Sequence, residues 1–162
     1  MIRRLCEFIS RLLPFITIPS SRDGSYLTRY FFFGKERKYL NVFLHYFHMS
    51  DTDANENGVL LLHNHTWRSS VSLILYGGYS EERRLPDNTI TRKEFRPGSI
   101  NYLNDYHFHR VDLFSKKGGW SLFVTGPRAK IDRRWGFWDR ETNTYIDAEE
   151  QIKKLGKDVF IP

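Results

Sequence analysis

The chain has 162 residues, with 25 lysines and arginines against 19 acidic residues and a single cysteine, Cys6. This length fits one domain with a substantial core. A lone cysteine excludes an intrachain disulfide and is typical of the reducing cytoplasm. No apolar run is long enough to cross a membrane. Because basic and acidic residues are interspersed, we expect a mildly basic solvated surface and no nucleic-acid partner.

The first segment, residues 1–25, is predicted to contain a helix and a connector. Apolar and charged residues alternate with helical spacing over 2–13, and Pro14 ends the pattern. Such an amphipathic helix can pack against a sheet or lie on a membrane surface. We favour packing. The apolar positions are Ile2, Leu5, Ile9, Leu12 and Leu13.

From Tyr26 the pattern becomes that of a β protein. Short runs rich in aromatic and branched residues are separated by turn residues such as Gly77-Gly78 and Pro97-Gly98. This predicts an all-β sandwich or barrel over 26–147, followed by a helix and tail over 148–162, with the helix closed by Gly156. The predicted strand runs are YLTRYFFFG, YLNVFLHYF, VLLLHNHTW, VSLILYGGY, TITRKEFRPG, INYLNDYHFHRVDLF and WSLFVTG.

All six histidines fall into three close pairs. Two of the pairs have i, i+2 spacing inside predicted strands, which places both rings of a pair on one face of the sheet. Neighbouring strands could therefore bring several imidazoles together, and imidazole is a common ligand of divalent first-row metals. The pairs are His45/His48, His63/His65 and His107/His109.

Two segments carry a recognisable motif. The first runs from Gly58 to Gly77 around the H-x-H of His63 and His65, and the second has Pro97-Gly98 followed by a strand that reaches His109. Over residues 40–128 this arrangement resembles the cupin superfamily. Phrases such as HNHTW, ILYGGYSEE and FHRVDL further resemble an uncharacterised group of short single-domain cupins of bacteria and phages.

The resemblance implies a fold, a site and a cofactor. Cupins are double-stranded β-helix (jelly-roll) barrels, and their motif residues correspond here to the metal ligands His63, His65 and His109. The glutamate that many cupins use as a further ligand is replaced by Ser70. This vacancy implies a three-histidine site of the kind found in thiol dioxygenases, with Fe(II) favoured over Mn, Ni or Zn. Some cupins have lost the metal, and many form homodimers.

Other residues are candidates for substrate contacts or proton transfer. His107 is a candidate fourth ligand or general base, and His45 is expected inside the barrel near the substrate. Guanidinium groups bind carboxylates and phosphates in a fork, so arginines at the barrel mouth are candidate anchors. Glu81 and Glu82 are expected at a strand edge, and Asp51 and Asp53 in a locally bonded turn. The remaining candidates are Trp67, Arg68, Tyr76, Tyr102, Trp120, Arg128, Arg134 and Trp135.

Three functions remain open at this point. The first is a metal-dependent cupin enzyme, of the dioxygenase type, that acts on a small anionic metabolite. The second is a non-catalytic cupin that binds a small molecule or sugar. The third is a metal-free sugar-nucleotide isomerase or epimerase, with His63 or His109 as the base and Tyr76 or Tyr102 as the acid.

Overall fold

A computed structural model describes residues 1–20, 24–129 and 135–154, and these residues form two six-stranded antiparallel sheets. The first sheet has the spatial order β1 (Phe15–Pro19), β2 (Ser25–Phe31), β3 (Asn41–Phe47), β10 (Gly119–Thr125), β5 (Ser69–Tyr76) and β8 (Ile100–Asn104). The second has the order β12 (Thr144–Asp147), β11 (Gly136–Asp139), β4 (Leu62–His63), β9 (His109–Leu113), β6 (Tyr79–Arg84) and β7 (Ile90–Phe95). The predicted all-β architecture is confirmed.

Two short helices flank the sheets, as predicted. The N-terminal helix α1 spans Ile2–Ser10 and is followed by turn residues, so it is shorter than the predicted helix over 2–13. The C-terminal helix α2 spans Ala148–Lys154, and Gly156 lies outside the described residues. None of the described helices is long and apolar enough to cross a membrane.

Three strand predictions need correction. The predicted connector contains β1, which pairs with β2 at the edge of the first sheet. The acidic and basic segment Tyr79–Arg84 is a strand, β6, between β7 and β9. The long predicted run from residue 100 to residue 114 is broken at residues 105–108, where the chain leaves β8 in the first sheet and enters β9 in the second.

The helix α1 packs on the outer face of the first sheet. Cys6 is buried there with Leu44 of β3 and Trp120 of β10, and Ile9 packs against the same cluster. The predicted packing of this helix against a sheet therefore holds for one half of its apolar surface. The other half, Leu5 and Phe8, is 50% and 60% exposed, and Leu12 in the turn after the helix is 70% exposed.

Side chains on the inner faces define the space between the sheets. Arg29 of β2 lies beside His45 of β3, which in turn lies beside Ser121 of β10. In the second sheet, His63 of β4 lies directly opposite His109 of β9 in the strand register. The fold thus sets an arginine–histidine pair on one wall and a histidine pair on the other.

Candidate metal centre

A cavity of about 180 Å³ lies between the two sheets. Its walls are mostly aromatic and aliphatic, with side chains such as Phe47, Phe123 and Phe137. The polar residues that interrupt this lining include all three histidines of the cupin-like motif and the pair Arg29 and His45. A concave, largely apolar surface with convergent polar groups is the usual form of a small-molecule site.

The histidines His63, His65 and His109 form one cluster on the wall made by the second sheet. Their candidate ligand atoms all lie within 4.8 Å of one another. The Nε2 atoms of His65 and His109 are 2.9 Å apart, and the ring centroids of His63 and His109 are 4.6 Å apart. Folding therefore brings together the three residues that the cupin motif singles out as metal ligands.

The loop that carries the H-x-H motif is fixed by its middle residue. Asn64, between the two histidines, is buried. Its Oδ1 accepts a hydrogen bond of 2.8 Å from the backbone N–H of Gly136, and its Nδ2 donates to the carbonyl of Asp105. Asn64 ties the loop to the neighbouring segments, and this anchorage keeps His63 and His65 on the cavity side.

Glu81 orients His109 from the side opposite the cluster. Its Oε2 lies 2.9 Å from His109 Nδ1 and also accepts a hydrogen bond from Asn101 Nδ2, while its Oε1 accepts 2.7 Å from Arg83 Nε. Burial alone would raise the pKa of this carboxyl, but His109, Arg83 and Asn101 outweigh it and lower the pKa to about 2. Glu81 is therefore an ionised acceptor that leaves His109 Nε2 directed toward the other histidines.

This position corrects the prediction for Glu81. The sequence suggested a residue at a strand edge, whereas Glu81 is only 2% exposed and lies on the inner face of β6 between two neighbouring strands. The reason is its set of buried partners, since three donors compensate a charge that would otherwise be costly to bury.

Asp51 supports His63 in a similar way. Its Oδ2 lies 3.6 Å from His63 Nδ1 and accepts a 2.6 Å hydrogen bond from the backbone N–H of Val111. The expected local turn at Asp51 is therefore wrong for this side chain, which bonds across the fold to β9. Two of the three clustered histidines thus have a carboxylate beside the nitrogen Nδ1.

The local environment keeps two of the imidazoles neutral. Burial lowers the pKa of His63 to about 4, despite the opposing effect of Asp51. Burial and the neighbouring His109 and His63 lower the pKa of His65 well below its usual value. Metals bind the neutral ring, so the site is available to a metal at neutral pH without the cost of removing these protons.

The donor set fits a divalent first-row metal. Histidine–metal bonds of about 2.0–2.1 Å place two ligand nitrogens at a right angle roughly 3 Å apart, so the spacing of His65 and His109 suits neighbouring positions on one ion. Metal-bound histidines usually direct their other nitrogen to a carboxylate, carbonyl or water, as His109 does toward Glu81. Among the described residues this group has three histidines and no carboxylate.

Ser70 stands in the sequence position of the missing glutamate ligand. Its side chain is buried between the sheets, and its Oγ has no hydrogen-bond partner among the described residues. Ser70 is not among the residues that line the cavity with the three histidines. The carboxylates near the site, Glu81 and Asp51, lie behind His109 and His63 instead.

Several other predicted site residues lie away from the cavity. His107 is in the turn before β9, where its Nδ1 accepts a hydrogen bond from the backbone N–H of Asn104, so it does not share a strand face with His109. Tyr76 and Trp120 pack beside α1 on the outer face of the first sheet, and Tyr102 is exposed on the edge strand β8. Neither tyrosine is placed to act with His63 or His109.

The predicted substrate contacts divide into two groups. Trp67, Trp135 and His45 line the cavity, as the sequence suggested for each. Arg68 and Arg128 are exposed outside the lining, and Arg128 forms an ion pair of 2.9 Å with Glu36. Arg134 lies outside the described residues.

One cavity residue that sequence reasoning missed is Arg29. It lies in a run of aromatic residues and shares its strand face with Leu27 and Phe31, which marks it as a charge pointing inward. That alternation is a signal that could have found it. For Glu81 no comparable signal exists, because its neighbours on β6 are charged on both faces.

No protein-family model matches the chain, and no curated protein matches it either. Solved structures do. FeII HppE in complex with substrate is similar with a TM-score of 0.52 and 11% identity, over 72% of this chain and 57% of HppE. A variant of Bacillus subtilis oxalate decarboxylase is similar with a TM-score of 0.50 and 12% identity, over 67% of this chain and 28% of that protein. An RmlC-like cupin from Shewanella frigidimarina has a TM-score of 0.48 and 17% identity, over 75% of this chain and 89% of that protein.

The similarities to HppE and to oxalate decarboxylase, with the two antiparallel sheets, show the fold: the chain has a jelly roll of the cupin type. The chain spans little more than half of HppE and less than a third of the oxalate decarboxylase. At such low identity the likeness concerns the fold alone. The narrower resemblance to short bacterial and phage cupins stays a prediction.

Proposed function

We propose that this chain is a metal-dependent cupin enzyme, of the dioxygenase type, that acts on a small anionic molecule in the cavity between its sheets. The observation that carries the proposal is the cluster of His63, His65 and His109, whose ligand atoms lie within 4.8 Å of one another on the cavity wall. Three protein ligands leave coordination positions open for a substrate, as catalytic metal sites require.

The residues around the cluster have distinct roles in this proposal. Glu81 and Asp51 hold His109 and His63 in orientation, while the aromatic walls provide an apolar surface for the body of the substrate. A bound divalent metal would supply Lewis acidity and, in the case of Fe(II), redox chemistry with dioxygen. Iron(II) is the favoured metal, with manganese, nickel and zinc as alternatives, since three imidazoles suit all of them.

A similarity to another protein supports the choice of iron in this proposal. HppE is described with Fe(II) and with substrate bound, so a jelly roll of this shape accommodates both in that protein. We transfer only the class of chemistry, iron-dependent reaction on a small molecule, to the present chain.

Metal analysis tests the proposal. The purified protein would be loaded in turn with iron(II), manganese, nickel and zinc, desalted and measured for bound ion. We expect one ion per chain in the wild type and in His107→Ala, whose ring lies in a turn outside the cluster. The double variant His63→Ala/His65→Ala should lose it. A wild type that retains none of the four ions would refute the proposal.

A second candidate is a metal-free cupin that binds a small molecule without catalysis. It is favoured by the direct 2.9 Å contact between His65 and His109, which satisfies both nitrogens through one shared proton. The same loading experiment separates the two candidates, because a metal-free binder should take up no ion while still being stabilised by its ligand in a thermal-shift screen.

A further inference from the structure

Arg29 is a buried cation without an acidic partner at ion-pair distance. The side chain is 5% exposed, and within the described ranges no carboxylate lies within 4.0 Å of it. Glu36, the acidic residue with the largest electrostatic effect on Arg29, pairs with Arg128 instead. Burial lowers the pKa of the guanidinium to about 10, so it stays charged at neutral pH. An uncompensated buried charge is costly, and its presence requires an explanation.

The surroundings of Arg29 hold its guanidinium in one orientation. The group lies 4.8 Å from the ring centroid of Phe43 and 5.0 Å from that of Trp67. Its Nε donates a hydrogen bond of 3.1 Å to His45 Nε2. His45 is itself stacked against Phe123 at 4.7 Å, so the acceptor is held in place as well.

This arrangement leaves one side of the guanidinium available. The two Nη atoms of Arg29 have no hydrogen-bond partner among the described residues, whereas the Nε is used by His45. Two parallel N–H groups on adjacent nitrogens match the two oxygens of a carboxylate. The available donors are therefore those that bind a carboxylate end-on.

Arg29 belongs to the same cavity as the histidine cluster. It lines the wall made by the first sheet, and the histidines line the opposite wall. Trp67 connects the two groups, since its ring is 5.0 Å from the guanidinium and 6.1 Å from the ring of His65. A small anion on Arg29 would therefore lie one aromatic ring away from the metal cluster.

The charge of the cavity selects among anions. Arg29 is the single lysine or arginine among the described residues that line it, while Asp51 and Asp53 contribute negative charge to the same lining. One cation can balance a monoanion, but a dianionic phosphate would leave a buried negative charge near two aspartates. The aromatic walls further favour an apolar body on the ligand.

We propose that Arg29 is the anchor for the carboxylate of a small, largely apolar monocarboxylic acid. The part of the acid that reacts would then face His63, His65 and His109, and this second half of the inference depends on the proposed function. The binding half stands on Arg29 and its surroundings alone.

The experiment measures binding of simple probes, without turnover. Metal-free and zinc-loaded protein would be titrated by calorimetry with propanoate and benzoate, with the matched neutral amides propanamide and benzamide, and with inorganic phosphate. We expect at least one carboxylate to bind tenfold or more tightly than its amide. Equal binding of acid and amide, or tighter binding of phosphate than of both carboxylates, would overturn the proposal.

Variants assign the effect to Arg29. Arg29→Gln should abolish the preference for acid over amide, while Arg29→Lys should keep part of it through the retained charge. The matched control is Arg96→Gln, since Arg96 is exposed and paired with Glu94. Circular dichroism checks that each variant folds; if Arg29→Gln does not fold, the wild-type comparison of acid with amide decides the matter. Retention of the preference in folded Arg29→Gln would refute the assignment.

The two proposals can fail separately. Carboxylate binding that persists in His63→Ala/His65→Ala, together with a wild type that binds no metal, would refute the enzyme and support the Arg29 site. Metal binding without any preference for carboxylate would support the metal site and refute the Arg29 site.

Discussion

His109 is the residue through which the site is organised. Its Nδ1 bonds to Glu81 and its Nε2 contacts His65, so one ring joins a buried carboxylate network to the candidate ligands. Arg83 and Asn101 hold Glu81 in turn. Such a chain fixes both the orientation and the basicity of a ligand, and it tolerates few changes because each member is buried.

The substitution Glu81→Gln tests this role. The amide keeps the size of the side chain but removes the charge that supports His109 and balances Arg83, so metal affinity should fall about 10- to 100-fold. Competition with a chelator of known affinity measures the change. Glu94→Gln, at an exposed carboxylate, is the control and should leave affinity unchanged. An affinity for Glu81→Gln within twofold of the wild type would show that Glu81 does not support the site.

The sequence predicted the three clustered histidines but not the residues that serve them. Spacing is enough for His63 and His65, because residues two apart on an extended chain share a face. Glu81 and Arg29 reach the cavity from β6 and β2, so their positions depend on which strands become neighbours. That order is set by the packing of the whole sandwich. His107 shows the converse, since its spacing from His109 was right but it closes the turn that precedes β9 and lies outside the strand.

At the scale of elements, α1 and the first sheet share a buried cluster outside the cavity. Cys6 and Ile9 of the helix pack against Leu44 and Trp120 on the outer face of the sheet. The periodicity of residues 2–13 predicted an apolar helix face, but it could not tell which half of that face would be covered. Leu5 and Phe8 remain exposed on the helix, and Leu12 is exposed in the turn that follows it.

Cys6 is the single cysteine and can report on this contact. Burial covers the thiol and raises its pKa, so its reaction with a thiol reagent should be about 100-fold or more slower in the native protein than in urea. Leu44→Ala should cost about 2–4 kcal/mol of unfolding free energy and speed the reaction. Leu12→Ala, at an exposed position in the turn that follows this helix, should change neither quantity. Rapid reaction in the native wild type would show that the helix does not stay packed.

The turn between β5 and β6 offers a second test at this scale. Gly77 has φ near +80°, and a Cβ there would lie 2.7 Å from the carbonyl oxygen of Gly118. Gly34 has nearly the same φ, with nothing within 4 Å of its Cβ position. Gly34→Ala should therefore cost only the backbone strain, about 1–2 kcal/mol, while Gly77→Ala should cost about 1–3 kcal/mol more for the clash. Urea unfolding measures both, and equal costs would contradict the close approach.

At the scale of the molecule, the strand-rich pattern and the turn residues were sufficient to predict two packed antiparallel sheets. What they could not supply is the assignment of strands to sheets, because the two halves of a predicted run, β8 and β9, belong to different sheets. The resulting sandwich encloses several polar groups in an aromatic interior. His45 is one of them, stacked between Phe43 and Phe123 and accepting a hydrogen bond from Arg29.

Burying a neutral histidine makes the stability of the whole fold depend on pH. Burial, and then the charge of Arg29, lower the pKa of His45 well below its value of 6.5 in an unfolded chain. As pH falls below 6.5, the unfolded state takes up a proton that the folded state does not, so the free energy of unfolding must decrease. The contribution is fully present above pH 6.5 and is lost progressively down to the folded-state pKa.

The variant His45→Gln isolates this contribution, because the amide oxygen can still accept from Arg29 but does not titrate. Urea unfolding of the metal-free proteins at pH 7.5, 6.5, 5.5 and 5.0 gives the difference in unfolding free energy, wild type minus variant. Since His63 and His65 are present in both proteins, their titration largely cancels. The difference should be constant above pH 7. It should decrease as pH falls to 5, because the wild type loses more unfolding free energy than the variant. A difference that stays flat over this range would mean that His45 titrates alike in the folded and unfolded chains, and that its place between Arg29 and the aromatic rings is not the buried one described.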